Sequence, residues 1–163
     1  ITPYAERNPP LLRVDPPYYH LTTAVFASTG RKLIIQSKDD LGRYRVGVVR
    51  GVAHAEKAVE GLANVTVVDK YEQLYRMIDA GRIDLGVDTG INGHAEIAVL
   101  GLKNIEQVGD IAGYDLHHIL HPRHEALVPK VSAVIKAMQA SGELDKLVKA
   151  YEKQTVANWG KMR

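Results

Sequence analysis

The chain has 163 residues, 45% of them hydrophobic and 25% charged, with a formal charge of +2 and no cysteine. That length supports one packed domain, and 21 basic against 19 acidic side chains, spread along the chain, leave no basic stripe for nucleic acid. The absence of cysteine excludes disulfides and thiol chemistry, and no apolar run approaches the roughly 20 residues of a membrane-spanning helix.

The opening is Pro-rich and extended, through Asn8-Pro9-Pro10 and Asp15-Pro16-Pro17. Leu21 to Ser28 predicts a strand that stops at Thr29-Gly30. Ser37 ahead of Asp39 and Asp40 predicts a capped helical turn, because a hydroxyl and early acidic groups satisfy the free N–H groups there. Arg45 to Val49 predicts a buried strand, and Gly51 a tight turn into a helix from about His54 to Leu62. The N–H groups at such a helix start attract anions.

Strand Val65 to Val68, helix Tyr71 to Ala80 and strand Ile83 to Val87 follow, completing a βαβαβ pattern that implies a parallel sheet. Asp69 is the expected N-cap of the Tyr71 helix, with Gly81 its stop. A third helix is expected over about Asn92 to Leu100, ending at Gly101, then an extended Asn104 to Val108 and a return strand Tyr114 to His121. Two helices close the chain, Glu125 to Ala140 and Leu144 to Gln154, split by Ser141-Gly142, with Ala157 to Arg163 as a frayed tail.

The run Ser37-Lys-Asp-Asp-Leu-Gly-Arg-Tyr-Arg-Val-Gly-Val-Val-Arg-Gly51 resembles the S-x-x-D-L-x-G-x-x-V-G-V-x-x-G element of bacterial extracellular solute-binding proteins of family 3. Asp-Ala-Gly-Arg-Ile-Asp at Asp79 to Asp84 and the ending Leu127 to Leu147 extend the resemblance over nearly the whole chain. It implies an α/β, type II periplasmic-binding-protein-like fold, with one complete βαβαβ lobe plus a partial second lobe joined by hinge strands. Residues 1–20 are then a remnant of lobe one, 21–113 the complete second lobe, and 114–163 the return hinge and C-terminal helices of lobe one. The first strand, first helix and sheet of lobe one are lacking, and Ile1 opens the chain as a mature or trimmed product would. Periplasmic location follows from the resemblance, since no export signal is visible.

The resemblance also points to residues. Arg7 matches the Arg that grips a ligand carboxylate, although its spacing from Thr2 departs from the family pattern; a solvated surface arginine is the alternative. Gly51, Val52 and His54 occupy the helix-start loop where the family often carries Gly-Thr or Gly-Ser, and Val52 removes that hydroxyl. Asp88 and Thr89 fall where amino-acid-binding members place the partner of the ligand ammonium; a helix N-cap is the other reading. Tyr19, with Tyr18 and Tyr114, is placed to stack on a ligand or to pack structurally.

His117, His118, His121 and His124 are dense, but adjacent strand residues point to opposite faces and no H-E-x-x-H supports a metal. No G-x-S-x-G elbow, cysteine nucleophile or phosphate loop appears, so the expectation is a non-enzyme with no cofactor. The expected role is capture of a small polar, amino-acid-like or anionic metabolite for the membrane permease of an ABC importer. Nucleic acid is not an expected partner. The rival roles are a receptor or kinase sensor domain, a dehydratase-type enzyme, or the effector domain of a LysR-type regulator. Apolar stripes on the last two helices (Val128, Val131, Val134, Ile135, Met138; Leu144, Leu147, Val148, Tyr151) are expected to dimerise unless a preceding segment covers them.

Overall fold

Val46-Gly-Val-Val49 and Leu85-Gly-Val-Asp-Thr89 lack the polar alternation of a half-exposed strand, and every residue in both is buried. They form the centre of the sheet. The computed structural model describes residues 10–161. Its strands are β1 (Leu12–Arg13), β2 (Tyr19–Ser28), β3 (Val46–Val49), β4 (Val65–Val68), β5 (Leu85–Thr89), β6 (Ile105–Leu116) and β7 (Ile119–Leu120). The α-helices are α1 (Ala53–Val59), α2 (Tyr71–Asp79), α3 (Gly90–Leu100), α4 (Val128–Ser141) and α5 (Glu143–Asn158).

Two compact units share the chain, one from residues up to His20 with Tyr114–Tyr151, the other from Leu21–Gly113 with the residues after Tyr151. Strands β2 and β6 pass from one unit to the other, and α5 begins in the first and ends in the second.

The larger unit holds a five-stranded sheet in the order β4-β3-β5-β2-β6. β3 runs parallel to β4, from Val46↔Val65 to Val49↔Val68, and parallel to β5, from Val46↔Leu85 to Val48↔Val87. The expected parallel βαβαβ core is present, but the sheet is mixed. β2 pairs antiparallel with β5, from Thr23↔Thr89 to Ala27↔Leu85, because it enters at the end where β5 finishes.

Side chains alternating along the strands feed two cores. Val25, Ala27, Val46, Val48, Leu85 and Val87 pack with Ala55 and Val59 of α1, while Ala24, Phe26 and Val49 pack with Leu74, Tyr75 and Ile78 of α2. Gly47 and Gly86 sit directly opposite each other on β3 and β5. A Cβ at Gly47 would stand 2.5 Å from Ile83 Cδ1 and 2.6 Å from Leu74 Cδ1, and one at Gly86 2.7 Å from Ile78 Cδ1. The glycine pair is therefore a shallow trough that lets α2 lie close on the sheet.

The opposite end of the sheet is locked by charge. Arg45 donates to both oxygens of Asp84, through Nη2 to Oδ1 at 2.7 Å and Nε to Oδ2 at 3.1 Å, and its backbone N–H adds a bond of 2.9 Å. Arg31 joins the same carboxylate. These bonds hold the Asp84 carboxyl below its ordinary range, at about 2, although burial opposes them.

Several boundaries differ from the sequence expectation. The Ser37 turn forms as expected, as a 3₁₀ turn, with Asp40 Oδ2 accepting from the Gln36 and Ser37 N–H groups at 3.0 Å. Asp69 does not cap α2; Lys70 holds that position, and Asp69 instead accepts from Arg50 Nε at 2.9 Å. The two extended pieces near Val108 and Tyr114 are one strand, β6. The closing helix begins as a 3₁₀ segment (Pro122–Leu127) before α4. The expected fraying from Ala157 is absent through Lys161: α5 runs to Asn158, and a 3₁₀ turn (Trp159–Lys161) follows.

In the smaller unit β1 pairs antiparallel with β7 through Leu12↔Leu120 and Arg13↔Ile119. Ser132 Oγ donates to the Asp15 carbonyl and Gln139 Nε2 to the Pro17 carbonyl at 3.0 Å, tying α4 to the opening segment. Val134, Leu147 and Tyr151 remain 57%, 58% and 63% exposed.

Two outcomes test this packing. Gly47→Ala lowers stability by about 1–3 kcal/mol in a denaturant titration, since Leu74 and Ile83 must shift. The contribution of Asp84 is present at neutral pH and is lost as pH falls from 3.8 toward about 2; Asp84→Asn removes that part of the acid transition.

Candidate functional site

In open α/β sheets the loops at the carboxyl ends of parallel strands carry ligand sites. In the larger unit these loops are Arg50–Val52 after β3, Asp69–Lys70 after β4, and the β5–α3 junction at Thr89. The start of β2 comes to the same end, because Thr23 faces Thr89 in the register.

Gly51 has φ +82, the left-handed conformation that turns the chain toward α1. Its N–H donates to Glu56 Oε1 at 2.9 Å, and the Val52 N–H to the Val49 carbonyl at 3.2 Å. Two donors expected for an anion are thus engaged, one by a side chain of α1 and one by the end of β3. Val52 takes the N-cap position without a side-chain cap bond, and its half-buried side chain packs against both cores. His54 Nδ1 lies 3.0 Å from Thr23 Oγ1, and partial burial lowers the imidazole pKa, favouring the neutral ring. Thr23 had no sequence signal beyond its place in a predicted strand.

Asp88 and Thr89 separate by the strand period. Thr89 is the N-cap of α3: its Oγ1 accepts from the Asn92 N–H at 3.2 Å, so the cap reading belongs to Thr89 and not to Asp88. Asp88 has 0% exposure and lies on the α2 side, where Oδ2 accepts from Tyr75 OH at 3.2 Å and Oδ1 from the Thr89 N–H at 2.6 Å. A carboxylate expected at the surface of the crest is sealed beneath α3. The seal is tight at Gly93, where a Cβ would meet Phe26 Cζ at 2.2 Å and Tyr75 OH at 2.4 Å.

Burial pushes the Asp88 carboxyl up to about 7, despite the hydrogen bonds that favour its charged form, and Glu96 adds to the rise. Burial and Asp88 together drive the Tyr75 phenol well above its ordinary range. Glu96 is itself fully buried, and Trp159 Nε1 donates to its Oε2 at 2.6 Å. Tyr71 accepts from Asn92 Nδ2 at 3.3 Å and meets Trp159 edge to face at 6.0 Å. Tyr75, Glu96 and Trp159 went unrecognised in the sequence. Glu96 within Ala95-Glu-Ile-Ala-Val99 and the single tryptophan were the available signals.

A second crest cluster lies beside α3. Asp110 Oδ1 accepts from Gln107 Nε2 at 2.9 Å, which turns the Gln107 carbonyl toward His94 Nε2 at 3.0 Å. Next to it Gly90 leaves space that a Cβ would fill, 3.3 Å from Thr22 Oγ1 and 3.6 Å from Gln107 Oε1.

The other expected residues are dispersed. Arg7 lies outside the described residues. Tyr19 is half-buried in the smaller unit, where Tyr18 stacks on His118 at 4.3 Å. His117 Nδ1 is 3.1 Å from both the Val14 carbonyl and Asp15 Oδ1, while His121 accepts from the Arg123 N–H and His124 from Arg123 Nε. Among the described residues no three His, Asp or Glu side chains are grouped to hold a metal.

No family model matches the chain, and no curated protein matches it in sequence. Solved structures do match in fold. A mutant of ArgBP from T. maritima superposes with a TM-score of 0.64 at 16% identity, over 86% of this chain and 61% of that one. The amino acid ABC transporter substrate-binding protein AbpA from Streptococcus pneumoniae, bound to L-arginine, gives 0.66 at 18%, over 93% and 65%. A histidine kinase sensor domain with similarity to periplasmic binding proteins gives 0.61 at 20%, over 85% and 62%. The fold is that of the type II periplasmic binding proteins. The chain spans under two thirds of the length of each of these neighbours.

The buried acid makes a pH test. Because the Asp88 pKa rises on folding, its effect favours the folded state below pH 3.8 and is lost as pH increases to about 7. Urea titrations from pH 4 to 8 show stability of the parent declining relative to Asp88→Asn across that window.

Proposed function

We propose that this chain is part of a solute-binding protein that captures a small polar metabolite, amino-acid-like or anionic, for the permease of an ABC importer in the periplasm. The crest of the larger unit carries the reading. Thr22, Thr23, His54, Thr89, His94 and Gln107 supply polar donors and acceptors near the carboxyl ends of the strands, where ligands bind in such sheets.

Gly51, Val52, His54 and Thr89 line the ligand site in this reading. Asp88 acts from below as a positioning residue, since it fixes the Thr89 N–H. Arg7 and Tyr19 are proposed as ligand contacts of the other lobe. Strands β2 and β6, which pass between the units, serve as the hinge. The apolar side chains Val134, Leu147 and Tyr151 support a dimer through the C-terminal helices where no other segment covers them. Among the described residues no helix is long and apolar enough to cross a membrane.

A sensor role is the second reading, supported by the kinase sensor domain among the fold neighbours. The full coding sequence separates the two: a membrane segment followed by a signalling domain assigns the sensor.

The ligand is tested by a thermal-shift screen of amino acids and small organic anions, followed by calorimetry and product analysis of the best hit. Saturable binding with the ligand recovered intact is expected. Conversion of the hit would overturn the receptor reading in favour of a dehydratase-type enzyme.

A further inference from the structure

The crest carries a gap bordered by acceptors. A Cβ built on Gly90, the first residue of α3, would stand 3.3 Å from Thr22 Oγ1 and 3.6 Å from Gln107 Oε1, so a group resting on this glycine meets oxygen on two sides. The polarity of the Gln107 side is fixed. Gln107 Nε2 is spent on Asp110 Oδ1 at 2.9 Å, which leaves the carbonyl, and not the amide N–H groups, turned toward Gly90. That carbonyl also receives His94 Nε2 at 3.0 Å, and its second lone pair can take a further donor. Thr22 adds a hydroxyl, which accepts as well as donates.

Asp110 supplies the charge. Its carboxylate is exposed, enters no ion pair among the described residues and uses one oxygen on Gln107. Other acids near the crest are engaged: Asp69 is paired with Arg50, Glu56 accepts from the Gly51 N–H, and Asp88 is sealed with both oxygens bonded. Acceptors beside an exposed carboxylate attract a donor-rich cation and repel an anionic head group. We propose that Thr22 and Gln107 hold the ammonium group of the captured solute over Gly90, with Asp110 as its counter-charge, so that the solute is a zwitterionic or cationic amine and not a simple organic anion. This rests on the solute-capture reading and narrows it.

The amino acids L-alanine, L-aspartate and L-phenylalanine are titrated against L-lactate, L-malate and L-phenyllactate, which carry a hydroxyl in place of the ammonium. Calorimetry gives the affinities, and the side-chain amide resonances of Gln107 in nitrogen-labelled protein report the site. An amino acid that binds at least about tenfold more tightly than its hydroxy acid, and shifts those resonances, is expected. Asp110→Asn keeps an acceptor for Gln107 Nε2 while removing the charge, and erases that preference. Gly90→Ala fills the gap and weakens amino-acid binding about tenfold; alanine suits the first turn of a helix, so this variant serves if the other fails to fold. Equal affinity in the two series, or a preference undiminished in a folded Asp110→Asn, overturns the assignment and leaves solute capture standing. No saturation by either series up to about 10 mM also overturns it, and solute capture falls with it only where the wider thermal-shift screen is blank as well.

Discussion

The two-residue period of β5 is the constraint on which the rest of the larger unit depends. Leu85, Val87 and Thr89 are committed to the α1 face, and Gly86 and Asp88 to the α2 face. A shift of one residue would exchange them all. The Arg45–Asp84 lock fixes that register at the start of the strand, since backbone and guanidinium bonds from one residue of β3's approach converge on the carboxylate just before β5. The Gly47–Gly86 trough then admits α2, and α2 brings Tyr75 to Asp88.

The polar group under the crest follows from this chain of placements. Asp88 and Glu96 are two acids buried in one protein layer, where desolvation and the neighbouring Glu96 oppose ionisation of Asp88. Tyr75, the Thr89 backbone and Trp159 supply hydrogen bonds from three different elements. Trp159 arrives from the far end of the chain, at the close of a helix that starts in the other unit. The C-terminal turn is therefore tied to the larger unit through the Trp159–Glu96 bond.

Much of the fold was legible. The valine-rich strands, Gly101 at φ 65 and Gly142 at φ 73 as helix stops, and the Ser37–Asp40 turn all rest on local chemistry that neighbouring residues settle between themselves. Less of the site was legible. The sequence placed Asp88 and Thr89 at the right strand end, but only the register assigns one to the interior and the other to the cap. Asp69 had the ideal character for capping α2 and was claimed instead by Arg50, a competition no local window contains.

The sequence by itself determined which segments are strands and helices and that three strands run parallel, because hydrophobic period and turn chemistry act over a few residues. Tertiary structure decided that β2 runs against them, that Asp88 is sealed, that Val52 closes a loop whose donors are already engaged, and that Trp159 docks on Glu96. The placements of β2, Asp88 and Trp159 depend on partners 13 to 66 positions apart, as in the Tyr75–Asp88 bond and the Thr23↔Thr89 pair, whereas the loop donors are taken nearby, by Glu56 and Val49. Such partners meet only when the sheet assembles and its two faces are covered.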